Sequence, residues 1–314
     1  MFACRAALKT GAMAEEWVRA TDGVRIFTRV LGRPDGPTVV LVHGYPDNSS
    51  VWDGVVAELI DKYRVVTYDV RGHGRSGKPT KRAAYRREQL ASDLKAVIDA
   101  VRPEGQVHLL AHDWGSVQSW YAIAAPELDG RVASYSSISG SHLEYTDVWI
   151  HDQVVGRRYR DLFRQIKASW YVFVFKLPVL PELLWRTGLM TRAIRRIDPT
   201  VASPELPDAL HGLNLYRANI PARHSVPPGK IAVPVQVIVP VDDAFVTAPM
   251  QVAVDQWVPD LRISRIAGTH WAPRESPKVI AGMAAEWIEH VEARNAPPLP
   301  RRISQRRWGT HRGW

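Results

Sequence analysis

The chain predicts an α/β fold in which a mostly parallel, twisted sheet carries helices on both faces and a helical block is set into it. Three observations carry that prediction. Short β-branched runs alternate with longer stretches of helical period from Val24 to Ser139. The rhythm stops at Ser141, and it resumes at Val235. Alternation of this kind requires crossover helices that cover both sides of a parallel sheet.

The elements follow in order. Val24–Val30 and Thr38–Val42 read as strands, Trp52–Asp61 as a helix and Val65–Asp69 as a strand. Leu90, Leu94, Val97, Ile98 and Val101 recur on one helical face. Gln106–Ala111 reads as a strand, Ser116–Ala125 as a helix and Val132–Ser139 as a strand. The next segment is aromatic-rich, helical in period and interrupted by Pro178, Pro181, Pro199, Pro204 and Pro207, with no strand pattern. Val235–Val239 and Leu261–Ile266 restore the strands, and a helix runs from Pro277 to Val291. The expected organisation is a core at 14–140, a helical cap or lid at 141–230, the rest of the core at 231–293, and a basic, unstructured tail at 294–314.

Composition excludes several classes. At 314 residues and 46% hydrophobic content the chain can bury a full core. Its one cysteine, Cys4, excludes an internal disulfide framework and fits a cytoplasmic location. The longest apolar stretch, Trp170–Leu180, contains Lys176 and Pro178 and is shorter than the roughly 18–20 residues of a membrane span. Met1–Ala12 is too short and too weakly apolar for a signal peptide, and Met13 is a second candidate start. The net charge of +9 sits at the ends. Residues 294–314 hold six arginines and no acid, and residues 1–13 hold Arg5 and Lys9 and no acid, which leaves 14–293 at +1. A near-neutral body gives no nucleic-acid signature.

Three loops carry the chemistry. His112-Asp113-Trp114-Gly115 lies between a strand and a helix, with small Ala111 and Gly115 flanking the turn, which is the setting of a nucleophile elbow. Alone, Asp113 reads equally as a helix N-cap. Its partners change that: His270, in Gly268-Thr269-His270-Trp271, follows the last strand, and Asp242 and Asp243 follow the strand before it. Nucleophile, acid and histidine then stand in the chain order of an α/β-hydrolase triad, with Asp243 favoured over Asp242 to orient His270. A carboxylate nucleophile suits displacement at a saturated, electrophilic carbon and forms an alkyl ester of its own side chain. Water activated by His270 would then cleave that ester. The backbone N–H groups of Tyr45 and Trp114 are placed to receive the oxyanion, and His43 and Pro46 of the same loop are expected against the substrate.

His43–Pro46, His112–Gly115 and Gly268–Trp271 together resemble the epoxide hydrolases of the α/β-hydrolase superfamily, over Val18–Val291. The likeness is closest to the N-terminal half of actinobacterial proteins that continue into a short-chain dehydrogenase domain. No G-x-x-x-G-x-G loop follows here, so the expectation is either the hydrolase alone or a protein whose second half is lost. The resemblance implies two cap tyrosines that bind and protonate the epoxide oxygen. Ser169-Trp170-Tyr171-Val172-Phe173 matches the first site and Asn214-Leu215-Tyr216-Arg217 the second, which assigns Tyr171 and Tyr216 and puts Trp170 beside the substrate. It also implies a lipophilic epoxide and water as reactants, a diol as product, no cofactor and no metal, and it admits a homodimer. Two alternatives stand beside it. One is a haloalkane dehalogenase, with which Tyr45 and the tyrosine pair disagree. The other is a non-catalytic α/β-hydrolase-fold scaffold, which has no need of Asp113, Asp243 and His270 on three separate loops.

Overall fold

The computed structural model describes residues 13–221 and 229–295. Eight strands form one sheet: β1 (Ala14–Arg19), β2 (Arg25–Gly32), β3 (Thr38–Val42), β4 (Arg64–Tyr68), β5 (Val107–His112), β6 (Val132–Ile138), β7 (Val235–Pro240) and β8 (Leu261–Ile266), in the spatial order β1-β2-β4-β3-β5-β6-β7-β8. β2 pairs antiparallel with β1 and with β4, and every other pairing is parallel. β3, β5 and β6 are buried along their whole length. The continuous apolar or β-branched character of β3 is what a strand covered on both faces requires.

The covering helices are α1 (Asp53–Leu59), α2 (Arg87–Val101), α3 (Trp114–Ala124) and, at the end, α12 (Pro277–Asn295). From β3, the α1 crossover moves to β4 on one side, whereas α2 and α3 carry the chain the other way to β5 and then β6. Right-handed crossovers running in opposite directions lie on opposite faces. α2 and α3 therefore pack together on one face, and α12 packs against α1 on the other. Leu90, Leu94, Val97, Ile98 and Val101 are all buried, as their spacing predicted.

Between β6 and β7 stand α4 (Leu143–Val155), α5 (Tyr159–Ala168), α6 (Trp170–Lys176), α7 (Leu180–Arg186), α8 (Leu189–Ile197) and α9 (Leu206–Asn219). These cap the carboxyl end of the sheet and are tied down by buried polar contacts. Asp208 accepts from the Gly74 N–H at 2.9 Å and from Asn48 at 3.2 Å. Asn219 accepts from the Arg87 N–H at 2.9 Å and donates to the Tyr85 carbonyl at 2.8 Å. Two short helices, α10 (Ala248–Gln251) and α11 (Ala272–Glu275), follow the loops after β7 and β8.

Three details depart from the sequence reading. β1 was not predicted: it is an edge strand in which only Val18 is buried, so its sequence lacks an apolar alternation. α3 begins at Trp114 rather than Ser116, directly after the elbow. Ser49–Trp52 is a separate 3-10 turn ahead of α1. The basic tail lies outside the described residues from 296 onward, as does the segment 1–12.

Candidate active site

The order of the sheet reverses at β3, whose neighbours β4 and β5 are reached in opposite directions. Ligands of open α/β sheets bind in the crevice beyond the carboxyl ends at such a point. Tyr45 follows β3 and Asp113 follows β5, so both sit at that crevice.

Asp113 adopts φ 52° and ψ −123°, a conformation that costs a non-glycine residue about 1–3 kcal/mol and persists only where the surroundings impose it. The surroundings do so. Its N–H donates to the Ile138 carbonyl at 3.0 Å, and Gly115 lies so close to β3 that a Cβ there would overlap the Val42 carbonyl oxygen. We expect Gly115→Ala to cost about 1–3 kcal/mol of stability through overpacking, read as a lower midpoint in urea unfolding.

The Asp113 carboxylate has two distinct oxygens. Oδ1 accepts the Tyr45 N–H at 2.7 Å, and Oδ2 lies 3.6 Å from His270 Nε2. Trp114 is the first residue of α3, and an N–H at that position has no intrahelical acceptor. On the far side of the imidazole, His270 Nδ1 meets both oxygens of Asp243, at 3.2 and 3.1 Å. Asp243 is itself fixed by the N–H groups of Phe245 and Val246 at 2.8 and 2.9 Å. Asp242, one residue earlier, is exposed. Asp243 is thus the acid brought to His270.

Electrostatics follow from that geometry. Burial disfavours a charged His270, but Asp243 and Asp113 outweigh it and push the imidazole up to about 10. Burial likewise opposes charge on Asp243, and His270 with the two N–H groups brings it below the usual carboxylate range. His112, beside His270 at a ring separation of 4.9 Å, is pushed down to about 4 by burial and by His270. It is therefore neutral and can donate from Nε2 to the His270 carbonyl at 2.8 Å.

Tyr171 on α6 and Tyr216 on α9 meet above the carboxylate with ring centroids 5.9 Å apart. Burial pushes both phenols upward; the charge of Asp113 adds to this in both, and Asp243 also acts on Tyr171. Both remain neutral donors throughout the ordinary pH range. Tyr45 packs edge-on against Tyr216 and sends its hydroxyl to the Ala209 carbonyl at 2.8 Å, locking α9 to the β3 loop.

A cavity of about 320 Å³ runs from Asp113 under the cap, walled largely by apolar groups such as Trp114, Leu143, Leu162, Val172, Phe245 and Val246. It reaches the surface between Ile150, Ile166 and Phe173, which line it and are exposed. A second space of about 20 Å³, bounded by Tyr45, Pro46, Asp113, Tyr171 and His270 among others, is large enough for one water molecule.

Two expected substrate contacts are corrected. His43 does not line either space: its Nε2 accepts the Val70 N–H at 2.8 Å and its Nδ1 can then donate to the Gly44 carbonyl, also at 2.8 Å. Both ring nitrogens are spent on holding the loop that presents the Tyr45 N–H. Trp170 faces a separate surface groove with Arg164, Lys167 and Thr247, outside the Asp113 cavity. Its neighbour Tyr171 takes the inward position, because adjacent residues of a helix point about 100° apart. Pro46 lies at the smaller space.

Sequence reasoning missed the cavity wall supplied by Leu143, Thr146, Phe245 and Val246. It also missed the clamp on the histidine loop, where Asp47 accepts from Trp271 Nε1 at 2.7 Å and from Arg274 at 2.9 Å. Asp47 stands directly after the His43–Pro46 motif, and that adjacency was the available signal.

This elbow, acid and histidine on a β-sheet with an inserted cap define an α/β hydrolase, and the chain belongs to the alpha/beta hydrolase fold family, whose pattern it matches over residues 37–275. It is 36% identical over 294 residues to a protein of Mycobacterium tuberculosis named "Probable oxidoreductase EphD", covering 88% of this chain and 50% of that one. The chain thus spans about half the length of that relative. It is 25% identical over 306 residues to "Epoxide hydrolase 4" of Mus musculus, covering 89% of this chain and 80% of that one. Among solved structures it superposes on an epoxide hydrolase from metagenomes of hot environments with a TM-score of 0.74 at 22% identity, over 88% of this chain and 99% of that one. No described helix is long and apolar enough to cross a membrane.

Proposed function

We propose that the protein hydrolyses lipophilic epoxides to vicinal diols through an ester of Asp113. The observation that carries this reading is a carboxylate at the elbow, facing an apolar cavity under two neutral phenols. In the first step Asp113 Oδ2 forms a bond to an epoxide carbon, the carbon–oxygen bond of the ring breaks, and the departing oxygen takes a proton from Tyr171 or Tyr216. Oδ1, already on the Tyr45 N–H, becomes the ester carbonyl oxygen. In the second step His270 Nε2 removes a proton from water, hydroxide adds to Cγ of Asp113, and the Tyr45 and Trp114 N–H groups hold the oxyanion. Collapse breaks the ester bond to the diol oxygen, which takes back the proton held by His270. The proton of the new Asp113 carboxylic acid returns to the tyrosinate, so that the diol leaves and carboxylate, imidazole and phenol are all restored. Water and the epoxide are the only reactants, and the single cysteine fits a cytoplasmic setting.

Alkylation also switches the base. Two of the influences that raise His270 come from the Asp113 carboxylate, and esterification removes its charge. The imidazole then falls below about 10 and becomes competent to accept a proton while Asp243 keeps it oriented. Because hydrolysis needs the neutral ring, its rate rises with pH and levels off above the pKa of His270 in the ester. We expect the ester to accumulate toward acid pH in rapid-quench mass spectrometry. An ester fraction that grows toward alkaline pH contradicts this role for His270.

The reading is tested by one turnover in ¹⁸O-water with enzyme in excess over a styrene-type epoxide. Attack at Cγ leaves the heavy oxygen in the Asp113 carboxylate, so the peptide containing residue 113 gains the label. Label found only in the diol would mean that water attacks the epoxide directly and that Asp113 is not the nucleophile.

A further inference from the structure

The neutral body conceals a separation of charge. Residues 156–197 carry ten cations against Asp161 and Glu182, a net +8, so the remainder of 14–293 carries −7. The same part of the cap turns large apolar side chains outward. Along α5, Tyr159, Phe163 and Ile166 make an exposed stripe at helical spacing, and Arg160, Arg164 and Lys167 make a second stripe beside it. Phe163 is 67% exposed, Val155 at the end of α4 68%, and Phe173 on α6 64%. α4, α5 and α6 pack in succession, and the rim of the substrate cavity, Ile150, Ile166 and Phe173, is drawn from these three helices.

We propose that this face of the cap docks on an anionic lipid bilayer, with the cavity mouth turned toward the hydrocarbon. Apolar stripes flanked by Lys and Arg suit the interfacial zone, where the apolar groups enter the acyl boundary and the cations meet anionic headgroups. A monomeric soluble protein rarely leaves such a patch uncovered. The chain's own C-terminal segment, with six arginines and no acid over 294–314, is repelled by a face of the same sign. A second copy meeting it cap to cap would bring the cationic stripe of Arg160, Arg164 and Lys167 against its own like. A nucleic acid would match the cations but leave Phe163, Val155 and Phe173 without apolar cover. Docking rests on the surface alone; delivery of substrate from the bilayer rests in addition on the epoxide reading.

Flotation of the full chain with vesicles tests the surface. Binding is expected to equimolar phosphatidylglycerol and phosphatidylcholine, and to be about tenfold or more weaker to phosphatidylcholine alone. Two double variants, Val155→Ser with Phe163→Ser and Arg160→Glu with Arg164→Glu, are each expected to weaken binding about tenfold or more, with turnover of a water-soluble epoxide unchanged. Absence of flotation overturns the proposal, and so does undiminished flotation of both variants. A dimer abolished by Val155→Ser with Phe163→Ser, in a protein that ignores vesicles, assigns the face to a second copy. Duplex DNA bound through Arg160 and Arg164, again without flotation, assigns it to nucleic acid. Vesicle binding in a protein that turns over no epoxide would leave docking in place and remove the hydrolase reading.

Discussion

His270→Gln is expected to leave a protein that opens its epoxide once and then stops. Asp113 keeps its strained elbow and its Tyr45 N–H in the variant, because neither depends on the imidazole. The alkylation step therefore survives. Hydrolysis loses its general base, a contribution of about 10²–10⁴ in rate, and glutamine cannot accept a proton from water in its place. Intact mass should show the enzyme plus one equivalent of epoxide, stable for hours, while diol production falls by about three orders of magnitude. Circular dichroism checks the fold, since His270 is buried against Phe245 and Trp271. No adduct at any time, from a folded variant, would sink the two-step scheme. The same outcome would favour the scaffold alternative if the unsubstituted protein were also inert.

The elbow and the histidine loop were legible in the sequence because their geometry is local. Asp113 needs a buried strand before it, a helix after it and small neighbours, and all three are written within a few residues. Asp243 was separable from Asp242 only in space, where one carboxylate is held by backbone N–H groups and the other is exposed. Tyr171 and Tyr216 came from resemblance; no periodicity distinguishes them from other cap aromatics. His43 and Trp170 lie away from the substrate space for a shared reason: each is close in sequence to a functional atom without facing the cavity that atom serves. In the His43 loop the functional atom is a backbone N–H, and the side chain supports it from behind. The edge strand β1 and the cavity wall escaped because one lacks an apolar pattern and the other is assembled from segments far apart in the chain. The charge reading failed differently: a sum near zero over 14–293 concealed two large terms of opposite sign in different parts of the molecule.

Replacing both phenols, Tyr171→Phe with Tyr216→Phe, is expected to remove ring opening while sparing the ester-cleaving machinery. An opened epoxide leaves an alkoxide, a stronger base than a phenolate, in a cavity whose walls offer it little else to bond with. One donor aimed at a developing oxyanion contributes about 10²–10³ in rate. Each single variant retains the other hydroxyl and should lose less than that, whereas the pair together should lower the single-turnover alkylation rate by about 10³ or more. The two losses should not be additive, since Tyr171 and Tyr216 lie against each other and share one oxygen. Packing is preserved because phenylalanine keeps both rings in contact with Trp114, Phe175 and Phe245. A preformed Asp113 ester, trapped in the His270→Gln background, offers no separate route to the answer, so alkylation itself must be timed by quench and mass. An unchanged alkylation rate would reduce the tyrosines to packing. If the double variant then released halide from haloalkanes as fast as the unsubstituted protein, Trp114 and the elbow alone would account for the chemistry, and the dehalogenase alternative would take its place.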